Sequence, residues 1–176
     1  MTAQEICSII ARSGRIHRMG ANAVADLDRI DRQILRWLQA EGRLSNTELA
    51  QRAGLSQSAC LRRVQRLEQM RVIEGYGARI SAAALGKGDT VFIEITLASQ
   101  SEAALDAFER AAAASPDILE CHLMAGDYDY LLRVAVADTA DYERLHRKQL
   151  AAFPHVARIR SHFALRQVSR RVAYEV

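Results

Sequence analysis

The sequence predicts an α+β protein: an N-terminal winged helix-turn-helix followed by a C-terminal βαββαβ ferredoxin-like domain. Three observations carry that expectation. Apolar residues recur at helical spacing from Leu27 to Leu67, in runs separated by capping residues and glycines. At Val91 the period changes to two. Beyond it, strand and helix patterns follow the order β-α-β-β-α-β, the split βαβ arrangement. A length of 176 residues holds one ordinary domain or two small ones, and 49% hydrophobic residues favour packed cores over general disorder.

Residues 1–25 read as an N-terminal extension, either a loosely ordered tail or a short extra helix. Ile6, Ile9 and Ile10 give it an apolar stripe that Ser13-Gly14 and Gly20 interrupt. Periodic sequence begins just after Met19, which makes Met19 the expected natural start. The helix-turn-helix domain is expected over residues 26–80. Its first helix carries Leu27, Ile30, Ile34 and Leu38 in register, with Asp26 as N-cap, Asp28, Arg29, Asp31 and Arg32 on solvated sides, and an end near Glu41-Gly42. Ser45 and Glu48 form a capping-box pattern that opens a second helix. Gly54 supplies the turn, because a left-handed backbone costs glycine little. Ser56 caps the third helix.

About 100° per residue sorts that third helix into two sides. Cys60, Leu61, Val64 and Leu67 are expected on the buried one. Ser56, Ala59, Arg62, Arg63 and Arg66 are expected on the other. A capped helix after a tight turn, with arginines around one small residue, is how a protein offers a helix to the DNA major groove. The candidate DNA-binding residues are Ser45, Asn46, Ser56, Gln57, Ser58, Ala59, Arg62, Arg63 and Arg66, with Tyr76 on the expected wing. That wing is a short two-stranded element made from Val72-Ile73 and residues 76–80.

Residues 81–90, with Gly86 and Gly88, read as a linker, and residues 91–176 as the second domain. Strands are expected at 91–97, 118–124, 130–136 and 156–165, and helices at 101–114 and 139–153, the latter ended by Pro154. With helices on one sheet face only, the other face, which carries Phe92, is expected to be apolar and to form a homodimer contact.

Composition narrows the function. Twenty-four basic and 21 acidic residues give a net charge of only +3, which permits nucleic-acid binding without diagnosing it. The three cysteines, Cys7, Cys60 and Cys121, are widely spaced, which supports neither a disulfide framework nor a zinc site. Five histidines share no metal-ligand spacing, and no catalytic motif appears, so neither a metal, nor a cofactor, nor an enzymatic activity is expected. No apolar run suits a membrane span, and free thiols fit a reducing cytoplasm.

Taken in order, Leu27-Asp28-Arg29-Ile30-Asp31, Leu55-Ser56 to Glu68, Ile73-Glu74-Gly75-Tyr76, Val91-Phe92-Ile93-Glu94-Ile95, Glu120-Cys121-His122 and Gly126-Asp127-Tyr128-Asp129-Tyr130 resemble the Lrp/AsnC (leucine-responsive/asparagine regulator) family of transcription factors. The resemblance covers about Asp26 to Val172 and is nearest the leucine-responsive branch. It implies double-stranded DNA as partner, an ACT-like (RAM) second domain that senses an amino acid, leucine or another, and homodimers assembling to octamers. It also implies an effector pocket at the Gly-Asp-x-Asp turn: Gly126, Asp127, Tyr128 and Asp129, with Leu123, Met124 and Ala125 beside it. A free amino acid needs a carboxylate for its ammonium and amides for its own carboxylate, and such a turn offers both. Gln57 and Ala59 stand where the leucine-responsive branch often has proline. Sirohaem decarboxylases resemble the same two-domain architecture, but the arginines of the third helix argue against that reading; an amino-acid-binding module without DNA contact is a third reading.

Overall fold

The computed structural model describes residues 25–176. The expectations for the N-terminal extension and for Met19 lie outside the described residues. The chain divides into two units: a helix-turn-helix unit that runs to Arg79 and includes Val168–Val176, and a sheet unit, Ile80–Gln167.

The helix-turn-helix unit is built from α1 (Arg29–Ala40), α2 (Asn46–Ala53) and α3 (Gln57–Gln69). Asp28, not Asp26, caps α1. Its carboxylate accepts from the Asp31 amide at 2.8 Å, and the Asp31 carboxylate accepts from the Asp28 amide at 3.2 Å, which makes a reciprocal box. Ile34, Leu35, Leu49, Ala50, Cys60 and Leu67 form the core, with Trp37, Val64, Val72 and Ile73 packed against it. The two wing strands are not formed. Arg71 takes a left-handed backbone, φ 57, and the chain folds back. The amides of Val72 and Ile73 then both donate to the Leu67 carbonyl, at 2.9 and 3.1 Å. Those residues are spent closing α3, and residues 74–80 have no strand partner among the described residues.

The sheet unit contains β1 (Asp89–Leu97), α4 (Glu102–Ala114), β2 (Ile118–Leu123), β3 (Tyr130–Val136), α5 (Thr139–Lys148) and β4 (Val156–Phe163). The strand order is β2-β3-β1-β4, and every pairing is antiparallel. This is the expected split βαβ order. The linker is shorter than expected: a 3-10 turn at Ala83–Leu85, then β1 from Asp89. The last helix also stops early, at Lys148, and Leu150–Ala152 continues as a 3-10 turn before Pro154. One sheet face is apolar by period two. Val91, Ile93, Ile95 and Leu97 on β1, with Tyr130, Leu132, Val134 and Val136 on β3, pack with Leu105 and Phe108 of α4.

The opposite face is not the apolar surface expected. Its registered neighbours are Phe92, Arg133 and His162, then Glu94, Leu131 and Arg160, with Glu120 and His122 on β2. Arg133 meets Glu120 at 2.5 Å, and Glu94 takes His162 at 3.2 Å and Arg160 at 3.6 Å. Opposite charges on neighbouring strands form a cross-strand ladder. Phe92 and Leu131 supply the apolar part.

Candidate functional site

Local rules of the sequence position α3 tightly. The Ser45 hydroxyl accepts from the Glu48 amide at 3.2 Å, and the Glu48 carboxylate accepts from the Ser45 amide at 2.9 Å. The Ser45 hydroxyl and amide hold that carboxyl below the usual glutamate range. Gly54 ends α2 at φ 64, a conformation that a side chain would strain. The Ser56 hydroxyl accepts from the Ala59 amide at 3.2 Å and caps α3. Asn46 donates its side-chain amide to the Gln57 carbonyl at 2.9 Å, which pins the start of α2 to the start of α3. Ser45, Asn46 and Ser56 therefore build the turn with the side-chain atoms that DNA contact would use.

The arginines divide. Arg63 donates to Asp28 at 2.6 Å and to Asp31 at 2.9 Å, and Arg66 pairs with Asp31 as well. Asp31 is fully buried, against its expected solvated position. It is tolerated there because two guanidinium groups and a backbone amide satisfy it. The carboxyl of Asp28 is held below its usual range, first by the Asp31 amide and then by Arg63. Arg63 thus lies on the shoulder of the buried side and ties α3 to α1. Leu61, expected in the core, is 45% exposed.

What remains outward on α3 is a ridge of Ser58, Arg62, Gln65 and Gln69, all exposed and spaced by one or two helical turns. Gln57 is exposed beside it and Ala59 is half-buried. Arg62 makes no ion pair among the described residues. Gln65 and Gln69 were missed in the sequence. They stand three and seven residues after Arg62, one and two helical turns along the same face. Tyr76 donates its hydroxyl to Glu68 at 2.9 Å, and burial, then Glu68, pushes its pKa up to about 12.

The turn between β2 and β3 also sorts its residues. The Asp129 carboxylate accepts from the Leu97 amide and from Gln100, both at 2.7 Å, and its own amide donates to the Ile95 carbonyl at 2.9 Å. Met124 closes the turn by donating its amide to the Asp129 carbonyl at 2.8 Å. Asp129 is buried and acts as the brace of the turn. Ala125, Gly126 and Asp127 are exposed, while Met124 and Tyr128 are half-buried; Leu123 is 38% exposed at the strand end. Asp127 forms no ion pair among the described residues, so its carboxylate is available to a cation.

A cavity of about 110 Å³ opens at the other end of β3, beside Lys87, Asp117, Val136 and Arg144. Its carboxylates are already engaged: Asp117 by Lys87 and Gln149, and Asp141 by Arg144 and the Ala137 amide. Among the described residues no His, Cys, Asp or Glu group is arranged to hold a metal, and no helix is long and apolar enough to cross a membrane.

Comparison with known proteins decides what this pair of sites belongs to. Residues 27–68 match the family described as the AsnC-type helix-turn-helix domain, and residues 90–174 match the Lrp/AsnC ligand binding domain. The chain is 44% identical over 150 residues to the Bkd operon transcriptional regulator of Pseudomonas aeruginosa, covering 85% of this chain and 98% of that protein. This chain belongs to the Lrp/AsnC family. It is a transcriptional regulator with a DNA-binding helix-turn-helix and a ligand-binding domain. It is also 42% identical to the leucine-responsive regulatory protein of Escherichia coli K12 over 145 residues, 82% of this chain and 88% of that one. Among solved Lrp/AsnC-like structures, a Neisseria meningitidis regulator in complex with L-Met superposes with TM-score 0.79 at 30% identity, covering 84% of this chain and 96% of that one. An AsnC family regulator from Agrobacterium tumefaciens matches with the same score and coverage at 35% identity.

Proposed function

We propose that the exposed ridge of α3 reads operator DNA, and that an amino acid bound at the Gly126–Asp127 turn controls how the protein occupies it. The observation that carries this reading is Arg62: an exposed guanidinium without an ion-pair partner among the described residues, on a helix capped and pinned at its start. Arg62 is suited to bidentate contact with guanine or to phosphate, and Gln57, Ser58, Gln65 and Gln69 extend the polar edge. Arg63 and Arg66 serve DNA binding indirectly, by holding α3 against α1, and Tyr76 is held at its edge.

The effector is an amino acid, leucine or another. Asp127 takes its ammonium and the amides around Gly126 take its carboxylate, while Asp129 keeps the turn in shape. The L-Met complex of one relative and the leucine-responsive name of another support an apolar side chain. The protein works on double-stranded DNA in the cytoplasm as homodimers that assemble further, to octamers. The open sheet face, with Phe92 and Leu131 framed by paired charges, suits the dimer contact. An amino acid that binds one assembly better than another shifts the population and, through linkage, DNA occupancy.

Operator binding at matched salt tests the DNA half. Arg62→Ala is expected to weaken binding by ~1–3 kcal/mol. Parental affinity of that variant would refute the reading. For the effector half, calorimetric titration with L-leucine and L-methionine should lose its signal in Asp127→Ala. An Asp127→Ala protein that binds as the parent does removes the turn from consideration.

A further inference from the structure

The sheet unit ends at Gln167, and Val168–Val176 groups with the helix-turn-helix unit. This tail has no regular secondary structure, so its position rests on particular contacts with α1. Arg36 donates its Nε to the Val176 carbonyl at 2.7 Å. Gln39 donates its Nε2 to the Tyr174 carbonyl at 3.1 Å, and its Oε1 accepts from the Tyr174 amide at 2.6 Å. One side-chain amide that both donates to and accepts from the same residue's main chain imitates a β-ladder pair. It fixes the direction of the tail as well as its place. Val176 then packs against the core that contains Ile34 and Leu35.

The rest of the tail is held far less. Val168 and the Tyr174 ring are each 84% exposed, and Val172 is 58% exposed. Exposed hydrogen bonds contribute little net stability, so two polar side chains and one terminal valine make a weak clasp. Weakly held segments of this kind open by themselves, well below the energy of global unfolding. Ala164 to Gln167 join the end of β4 to the tail. Among the described residues the chain therefore passes between the units twice, at Arg79–Ile80 and at Gln167–Val168.

We propose that Val168–Val176 is a releasable strap on the DNA-reading unit, and that its seating on Arg36 and Gln39 sets operator affinity. This rests on α3 being the DNA-reading helix. The Asp28 and Asp31 carboxylates join the N-terminal end of α1 to Arg63 and Arg66 of α3. The strap holds the other half of the same helix. With both ends of α1 fixed, α3 keeps one presentation. With the strap loose, α1 frays from Arg36 onward, and α3 loses part of its support. A change in the ligand-binding unit that moves the end of β4 is passed to the strap along the covalent chain.

Two variants of the full protein test this. One is truncated after Gln167. The other is the Arg36→Ala/Gln39→Ala double substitution, which leaves the tail and the sheet unit intact. Affinity is read by fluorescence anisotropy on a DNA fragment that the parent selects from a random pool. Helix integrity is read by amide hydrogen exchange. Both variants are expected to bind at least about fivefold more weakly, the low end of ordinary coupling between distinct sites. Amides of residues 36–41 should exchange faster while those of β1 and β3 keep parental rates. Parental affinity or parental α1 exchange in the double variant overturns the strap, whatever the truncation does. If the parent itself selects no DNA, the DNA-reading proposal fails on its own, and unchanged α1 exchange then rejects the clasp.

Discussion

Phe108 and Asp31 occupy comparable places in the two units: each is fully buried where a helix meets its neighbours. Phe108 sits in an apolar cluster, with the Tyr130 ring 4.5 Å away and the Phe153 ring 5.8 Å away. Around Asp31 lie two guanidinium groups and the N-terminus of α1. The sheet unit is joined by area removed from water, which has no direction. The helix-turn-helix unit, with a smaller buried cluster, joins α1 to α3 with directed charge. A directed join fixes the rotation of α3 about its own axis, and that rotation decides which side chains the helix turns outward. In the proposed reading, the ion cluster therefore serves DNA recognition by orienting α3.

The largest effect is expected where the contrast is sharpest. Phe108→Ala should cost ~3–5 kcal/mol of stability, the usual range for emptying an aromatic site in a core. Calorimetry should see the loss in the transition of the sheet unit, while α1–α3 amides keep their protection. Equal loss of protection in both units would break the comparison, because it would make them one cooperative body.

Asp31→Asn comes next. It keeps the shape but removes the charge that Arg63 and Arg66 share, and both arginines are partly exposed and regain water. The expected cost is ~1–3 kcal/mol, in the range of hydrogen bonds to a charged group. Operator binding should fall with it, and the sheet unit should melt as before. An Asp31→Asn protein with parental stability and parental DNA affinity would reduce the cluster to a surface ornament.

The same contrast explains what the sequence revealed. Period two was enough to read the sheet core, since every residue at Val91, Ile93, Ile95, Leu132 and Val134 signals burial by its own chemistry. Asp31 and Arg63 signal solvent by theirs, and were so read. Their spacing said otherwise: Asp31 stands three and four residues before Ile34 and Leu35, and Arg63 stands three after Cys60 and four before Leu67. Position on the wheel outranks residue type once a partner exists on the facing helix, but the partner is visible only in three dimensions. For Asp129, nothing local in the sequence reveals its bond with the Leu97 amide. The open sheet face was misread for the opposite reason. Phe92 was given weight that Glu94, Arg160 and His162, at alternate positions of the paired strands, should have taken. The return of Val168–Val176 to α1 has no periodic signal at all.

Acid gives the smallest effect and the most discriminating one. Asp28, Glu41 and Glu48 in the helix-turn-helix unit, and Asp117 and Glu120 in the sheet unit, all have carboxyl groups held below their usual ranges. For each, the native state prefers the ionised form. Its stabilisation is complete above the ordinary carboxylate value, about 3.9 for aspartate and 4.3 for glutamate, and is lost as pH falls through the lowered native value. The sign is the same in both units, but the consequence is not. Glu120 and Asp117 decorate a sheet whose core needs no charge. Asp28 and Glu48 cap α1 and α2, and Asp28 also holds Arg63. Lowering the pH through that window should therefore release α1 and α2 amides first, while β1 and β3 stay protected, as hydrogen exchange at stepped pH would record. Earlier release of the sheet amides would mean that its charge ladder, rather than its apolar core, carries the unit.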